Sequence, residues 1–497
     1  MITVRRRKTA YVETYGCQMN VSDGELMQGI LAGGGYEIVA KPEDADVVLV
    51  NTCAIREHAE QRVIGRVGEL FRLKSERPDM VIGVTGCMAQ RLGTKLLERA
   101  AYVDLVMGPD GYRDLPQALR RIRADHPGTR DSAALAEPAV APGPRVDNTI
   151  PTRRELPVIT TGVHGDRAAV LDLRVDENYE GLEVRRSEGV SAWVPVQRGC
   201  DHRCTYCIVP YVRGPEKNRS LASVLDEVRG IAEQGTTEVT LLGQTVNSWR
   251  HGADRFPELL RAVARVDGVR RVRFTSPHPI DVTPELAEVM ATEPAVCAQL
   301  HLPVQAGHDR TLKRMLRRYT VDTFLDKVRL VRAAMPGIAL STDVIVAFPG
   351  ETDEEYEATL DLMREVRFDD AFLYRYSMRD GTPATRLPPA QFVADDVAQT
   401  RLQRLIDLHR GIQSEINTSE VGRTVEVRVE RAAKSSGDML GRTEGYKPVA
   451  FPGDMSLVGR YLEVQLTGTT GATFRGAIAG GESGATDRET AVSSRVA

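Results

Sequence analysis

Gln197-Arg198-Gly199-Cys200-Asp201-His202-Arg203-Cys204-Thr205-Tyr206-Cys207 runs straight out of an apolar β pattern, Trp193–Gln197. A Cys-x3-Cys-x2-Cys triplet is short enough for one loop to wrap three corners of an iron–sulfur cubane. Three thiolates leave one iron of a four-iron cluster without a protein ligand, and a free coordination position is where chemistry happens at catalytic metal sites. Zinc is the main alternative occupant. Zinc sites close with four ligands and usually show two paired-cysteine halves. No second half lies nearby, and His202 sits between two of the cysteines, where joining them would strain the loop.

Outward from this loop the chain alternates strand and helix. Candidate strands after Trp193–Gln197 are Glu238–Leu242, Arg271–Thr275, Ala298–Leu302, Ile338–Ala347 and Ala371–Tyr376. The first intervening helix is well signalled: Ser220 can cap it, Leu221, Val224, Leu225, Val228 and Ile231 form one apolar face, and Gly235 can end it. Six such units in series predict a parallel barrel or partial barrel, with its site at the C-terminal strand ends.

The same alternation fills the first ~110 residues. Lys8–Tyr15 runs into Gly16-Cys17, Ala45–Asn51 into Thr52-Cys53, and Met80–Thr85 into Gly86-Cys87. Helical patterns lie between, over Asp23 to Ala32, Glu57 to Lys74 and Thr94 to Ala100. Parallel strands joined by helices place all their C-terminal ends on one edge, where ligands bind. Three cysteines dispersed in sequence, each one or two residues past a strand end, therefore converge in space.

The chain has 497 residues, 42% hydrophobic and 27% charged, which predicts about three domains of ordinary soluble composition. No apolar run approaches the ~20 residues that span a bilayer. The basic start, Met1 to Lys8, has no apolar stretch behind it, so a cytoplasmic protein is expected. Seven cysteines, six of them in two sets of three, argue against a disulfide framework. Cys297, beside an apolar strand, reads as a buried core thiol. The net charge of −4 gives nucleic-acid binding no support by itself. The basic clusters at Arg5 to Lys8 and at Lys313-Arg314-Met315-Leu316-Arg317-Arg318 read as solvated faces on charge alone. Residues 8–123 form the first unit, 124–190 read as a linker or insertion, and 191–417 form the core. Residues 418–480 read as a small β-barrel, with short β patterns at Thr424–Arg431, Gly441–Thr443, Leu457–Val458 and Tyr461–Thr467, and 481–497 as a disordered tail.

Cys200-x3-Cys204-x2-Cys207 after a first β-strand resembles the radical S-adenosylmethionine signature. Gly16-Cys17-Gln18-Met19-Asn20, Asn51-Thr52-Cys53-Ala54-Ile55-Arg56 and Thr85-Gly86-Cys87-Met88-Ala89-Gln90 resemble the methylthiotransferases within that superfamily. So do Leu242-Gly243-Gln244-Thr245-Val246-Asn247, His301 to Gly307, and Phe348-Pro349-Gly350-Glu351-Thr352. Gly441-Arg442-Thr443 and Phe451-Pro452-Gly453 look like the TRAM domain, a β-barrel that contacts RNA. Cys17-Gln18-Met19-Asn20 looks like the MiaB branch, which acts on tRNA. There are departures: Gly24 stands where the family usually has Ser, Tyr446 where it commonly has Asn, and the 124–190 segment is long.

The resemblance implies an α/β fold: a Rossmann-like parallel sheet, a partial (β/α)6 radical barrel and a small C-terminal β-barrel. It implies two 4Fe-4S clusters, an auxiliary one on Cys17, Cys53 and Cys87 and one on Cys200, Cys204 and Cys207 that binds S-adenosylmethionine. S-Adenosylmethionine then serves as methyl donor and as radical source. The substrate implied is N6-isopentenyladenosine at position 37 of a tRNA anticodon stem-loop, converted to its 2-methylthio derivative. Reduced flavodoxin or ferredoxin as electron donor, and a sulfur source, are implied partners. Gly243, Gln244, Ser276 and Asp343 follow or end barrel strands; each either binds S-adenosylmethionine or is a strand-end hydrogen-bonding residue. Tyr206 either stacks on the adenine or packs the loop. Two other readings stand beside this one: RimO-like methylthiolation of a ribosomal-protein aspartate, and a non-catalytic iron–sulfur RNA-binding module.

Overall fold

Val47-Val48-Leu49-Val50-Asn51-Thr52 is buried along its whole length, as a strand covered on both faces by crossover helices must be. In the computed structural model, which describes residues 7–54, 57–100, 102–125, 162–164, 167–186, 189–434 and 437–480, this strand is third in a seven-stranded sheet. The strands are β1 (Lys8–Thr14), β2 (Tyr36–Ile38), β3 (Val47–Thr52), β4 (Val81–Gly86), β5 (Leu105–Met107), β6 (Gly162–His164) and β7 (Arg167–Val170), in the order β2-β1-β3-β4-β5-β7-β6. All neighbours are parallel except β6 and β7. The register aligns the strand ends that matter: Thr14 opposes Asn51, and Thr52 opposes Gly86.

The reading of 124–190 as linker is corrected for its second half. Arg167–Val170 pairs with β5 and buries Ala168, Ala169 and Val170, and Tyr179 and Glu177 are buried beyond it. Four residues of Arg-Ala-Ala-Val are too short and too small to announce a strand; burial between two layers decides it. Residues 126–161, the 481–497 tail, Ile55, Arg56 and most of the basic N-terminus lie outside the described residues.

The second α/β layer holds β8 (Ser191–Pro195), β9 (Glu238–Leu242), β10 (Arg271–Phe274), β11 (Gln299–His301), β12 (Ala339–Val346) and β13 (Asp370–Arg375). They form two parallel halves, β10-β9-β8 and β11-β12-β13, linked by a parallel bridge between Val272 and Val296. The six expected strands are all present. The helix Leu221–Glu233 starts at Ser220, whose Oγ accepts from the Ser223 amide, and buries Val224, Val228 and Ile231. Cys297 is buried, as expected.

Residues from Thr424 onward build a closed five-stranded barrel: β14 (Thr424–Ala432), β15 (Asp438–Thr443), β16 (Pro448–Pro452), β17 (Tyr461–Thr469) and β18 (Phe474–Ile478), closing where β17 pairs back onto β14. Val427, Val429, Met439, Val449, Phe451, Val464, Leu466 and Phe474 fill it. The β pattern expected at Leu457–Val458 is instead a tight helical turn, Met455–Leu457, capped by Asp454. The strand β16 escaped the sequence reading because prolines bracket it; proline is tolerated at strand ends but not in a central strand interior.

Candidate metal centres

The two glycine–cysteine steps of the N-terminal sheet explain how three distant cysteines meet. Gly16 has φ +145°, and a Cβ there would sit 2.7 Å from Cys53 Cβ and 2.7 Å from Asn20 Oδ1. Gly86 has φ +90°, and a Cβ would sit 2.4 Å from the Thr52 carbonyl oxygen. Both turns are thus pressed against the strand end that carries Cys53. Cys17 caps the helix Gln18–Gly33 and Cys87 opens the helix Cys87–Leu92. Cys17 Sγ donates to Asn20 Oδ1 at 3.2 Å, and Asn20 Nδ2 donates to the Thr52 carbonyl at 3.1 Å. A hydrogen bond from Cys53 holds the Cys17 thiol down at about 6, against burial, with the Arg213 charge assisting. Burial pushes the Cys87 thiol up.

The loop at the end of β8 is fixed in a similar way. Gly199 has φ +73°, and a Cβ would lie 1.9 Å from the Pro215 carbonyl oxygen. The Cys200 amide donates to the Gly214 carbonyl and the Cys207 amide to the Cys204 carbonyl. Arg317, itself buried, donates Nη1–H to Cys204 Sγ at 3.5 Å, and Thr245 Oγ1 lies 3.9 Å from Cys200 Sγ. Burial pushes Cys200 up to about 11 and Cys207 up to about 12. Thiols so buried ionise readily only when a metal supplies compensating positive charge.

The spacing of the sulfurs bears on which metal. Among the described residues, the one group of metal-ligating atoms drawn within 4.8 Å of one another is His202, His278 and Asp281. Neither cysteine trio belongs to it; in each trio two cysteines are buried and one is half-buried, which fits a cluster whose remaining iron stays open to a ligand. The histidine group does not replace them: the His202 and His278 rings stack at 3.9 Å and 8°. Two face-to-face imidazoles cannot both aim in-plane lone pairs at one ion.

The remaining expected site residues divide. Gln244 precedes Thr245, the residue that reaches Cys200: the Gln244 and Thr245 amides donate to Gln197 Oε1, and Gln197 Nε2 returns to the Thr245 carbonyl. Gln244 Oε1 is buried without a protein partner among the described residues, an acceptor free for a bound donor such as an amino group. Gly243 has a packing reason, since a Cβ would meet Gln197 Oε1 at 2.7 Å and Val246 Cα at 2.8 Å. Ser276 holds a left-handed φ of 57° and its carbonyl accepts from the Val246 amide, so it belongs to the same strand-end group. Asp343 lies on β12, with Oδ2 3.4 Å from His301 Nε2. Tyr206 packs against the barrel core, and burial pushes its phenol well up, which favours the loop-packing role. In the basic run, Arg314 pairs with Glu355 and Arg317 is committed to Cys204, Tyr319 and Pro303. Lys313 and Arg318 are exposed.

Elements that carry the two cysteine sets are in contact. The helix Cys87–Leu92 packs on the short helix Val209–Val212 just after Cys207, and Ala54, Cys87, Ile208 and Val212 form one apolar cluster. Arg213 ends that segment and reaches the N-terminal sheet: Nε donates to Cys87 Sγ at 3.2 Å and Nη2 to Asp23 Oδ2 at 2.6 Å. A second buried contact places Arg198 and Lys217 on the two oxygens of Asp110, at 2.8 and 2.6 Å. None of these five charged residues was singled out from the sequence; an arginine inside Val209-Pro210-Tyr211-Val212-Arg213 was the available signal.

Residues 9–108 match Uncharacterized protein family UPF0004, residues 194–363 the Radical SAM superfamily and residues 418–478 the TRAM domain. The chain is similar to the tRNA-2-methylthio-N(6)-dimethylallyladenosine synthase of Chloroherpeton thalassium, 40% identical over 95% of this chain and 96% of that one. It is 42% identical to the protein of the same name from Moorella thermoacetica, over 93% and 97%. Among solved structures it resembles the radical S-adenosylmethionine methyltransferase TsrM from Kitasatospora setae, with cobalamin and a 4Fe-4S cluster bound (TM-score 0.53, 16% identity, 76% of this chain and 77% of that one). That likeness concerns the fold.

Proposed function

Because this chain belongs to the tRNA-2-methylthio-N(6)-dimethylallyladenosine synthases, we propose that it methylthiolates C2 of N6-isopentenyladenosine at position 37 of tRNA. It is a radical S-adenosylmethionine enzyme with an iron–sulfur cluster. The observation that supports the finer reading is the contact between the elements that carry the two cysteine trios, made by Arg213 on Cys87. Cys200, Cys204 and Cys207 hold the cluster that binds S-adenosylmethionine, and Cys17, Cys53 and Cys87 hold an auxiliary one. Bound there, the clusters and S-adenosylmethionine supply hydrogen abstraction from an aromatic carbon and the methylthio group, which acid–base side chains cannot.

The protein's own part is placement. Gln197 pins the Gly243–Thr245 loop beside Cys200, so that Gln244 Oε1 and the Ser276 turn receive the polar end of S-adenosylmethionine. The two cups must hold their groups within contact distance of one adenine carbon, and buried interdomain ion pairs keep that distance. Reduced flavodoxin or ferredoxin serves as electron donor, and a separate sulfur source replenishes the sulfur. No helix among the described residues is long and apolar enough to cross a membrane.

The decisive experiment incubates isopentenylated tRNA anaerobically with reconstituted protein, S-adenosylmethionine and a reductant. Nucleoside mass spectrometry should show 2-methylthio-N6-isopentenyladenosine. Formation of 5′-deoxyadenosine without that nucleoside would overturn the substrate and leave the radical chemistry. Binding of the tRNA carries a second prediction. Lys313→Ala with Arg318→Ala should flatten the slope of log K against log salt by about 0.7–0.9 for each phosphate that is no longer neutralised. Equal slopes in parent and variant would remove this face from the RNA site.

A further inference from the structure

Arg213 binds a cysteine sulfur of one cup from the element that follows the other. It lies six positions after Cys207, its side chain is 3% exposed, and its guanidinium presents one edge to two acceptors. Nε–H points at Cys87 Sγ at 3.2 Å and Nη2 at Asp23 Oδ2 at 2.6 Å. Asp23 is itself buried and lies 3.4 Å from the Tyr179 hydroxyl. Nη1 is buried without a protein partner among the described residues. A cation this deep is held either by its ion pair alone or by the ion pair together with further negative charge. Asp23 supplies one negative charge. The sulfur contact and the unused Nη1 both indicate that more is meant to sit here, and a cluster bound through thiolates supplies it.

We infer that Arg213 is a positioning residue for the auxiliary cluster, which clamps the Cys87 corner from the radical barrel and sets the cluster's reduction potential through an N–H···S bond. This rests on the assignment of a cluster to Cys17, Cys53 and Cys87. Hydrogen bonds to ligating sulfur and a nearby positive charge stabilise the more electron-rich, reduced state. Arg213 therefore raises the potential and slows iron loss. The same residue joins the two cysteine-bearing elements, so the position of Cys87 depends on the barrel being docked.

The test uses the full chain with Cys200, Cys204 and Cys207 all changed to Ala, so that only the auxiliary cluster is read. On this background Arg213→Lys, Arg213→Met and Asp23→Asn are compared by redox titration followed by electron paramagnetic resonance, and by the rate of iron release to a chelator. Arg213→Lys keeps the charge but not the Nε–H donor. Asp23→Asn keeps the donor but weakens the ion pair. The expected result is a shift of the midpoint potential to more negative values in both Arg213 variants, with iron released several-fold faster. Asp23→Asn should shift the potential less than either. Unchanged potential and iron release in Arg213→Lys, or a shift in Asp23→Asn as large as in Arg213→Lys, overturns the proposal and leaves Arg213 as interdomain glue. If Arg213→Met does not fold, the Lys and Asn variants still decide. A background protein that binds no iron would instead overturn the auxiliary-cluster assignment, and the proposal with it.

Discussion

Cys87→Ala is expected to abolish methylthiolation while leaving the cleavage of S-adenosylmethionine to 5′-deoxyadenosine in place; Cys200→Ala is expected to abolish both. The asymmetry follows from the two cups being separate in structure. Cys87 stands at the start of a helix in the N-terminal sheet, and its removal leaves the loop of Cys200, Cys204 and Cys207 with its own supports. Those supports are the Gly214 carbonyl, Arg317 and Thr245. Cys200 in turn sits at the end of the first barrel strand, and no tRNA chemistry can begin without the cluster it helps to hold. In both variants the methylthio nucleoside should fall below detection, since an open cluster that loses one of three protein ligands is not retained in a defined position. Both products are measured in the same anaerobic reaction, one by chromatography and one by nucleoside mass spectrometry. Methylthiolation surviving in either variant would remove that cysteine from the ligand set. Loss of 5′-deoxyadenosine in Cys87→Ala as well as in Cys200→Ala would show that the two cups are not independent.

What the sequence exposed and what it concealed divide along physical lines. Period and punctuation were legible: Ala45–Asn51 and Met80–Thr85 read as strands because they are mostly apolar, and the cysteines read as convergent because each follows such a strand. Spacing was legible too, since Cys200, Cys204 and Cys207 sit on one loop. Contacts between distant segments left no local pattern. Arg213, Arg198 and Lys217 look like any surface cations, and only the fold reveals that Asp23 and Asp110 meet them in a buried seam. The run 313–318 looked like one basic face. In the fold it alternates between buried Arg317 and exposed Arg318, because the turn after the helix Asp309–Arg314 presents successive residues to opposite sides.

The departures from the family pattern also acquire reasons that no single position shows. Gly24 lies in the helix Gln18–Gly33, and a Cβ there would stand 2.5 Å from Thr14 Oγ1. With Thr at 14, a Ser at 24 would collide, so the small residue is a local packing solution. Tyr446 occupies a left-handed position with φ 67°, where Asn is several-fold enriched among non-glycine residues. Its ring lies under the Arg442 guanidinium, 4.2 Å from the centroid, and its carbonyl accepts from Arg442 Nη1. Those contacts offset the backbone cost of a bulky residue there.

Gly86→Ala should destabilise the N-terminal sheet by several kcal/mol and strip the auxiliary cluster while sparing the barrel. Two terms add. A residue with a Cβ at φ 90°, ψ −163°, a region occupied essentially only by glycine, costs about 1–3 kcal/mol. The new methyl would then stand 2.4 Å from the Thr52 carbonyl oxygen and 2.5 Å from Asn51 Oδ1. Backbone cannot step aside as a flexible side chain does, so the Thr52–Cys53 segment must move, and with it the middle corner of the cup. The carbonyl of Thr52 also accepts from Asn20 Nδ2, and the same Asn20 receives the Cys17 thiol's hydrogen bond on Oδ1; displacement at one corner is therefore passed to another. Gly230→Ala is the control. It lies inside the helix Leu221–Glu233, with nothing within 4 Å of its Cβ, and should stabilise by about 0.5–1 kcal/mol. Thermal melts of both variants, with iron and sulfide counted after reconstitution, give the comparison. Gly86→Ala should retain the iron of the Cys200–Cys207 loop and lose the rest. Full iron content together with an unchanged melting temperature in Gly86→Ala would mean that the Gly86–Thr52 contact does not hold the cup in shape, and the convergence of Cys17, Cys53 and Cys87 would then rest on strand register alone.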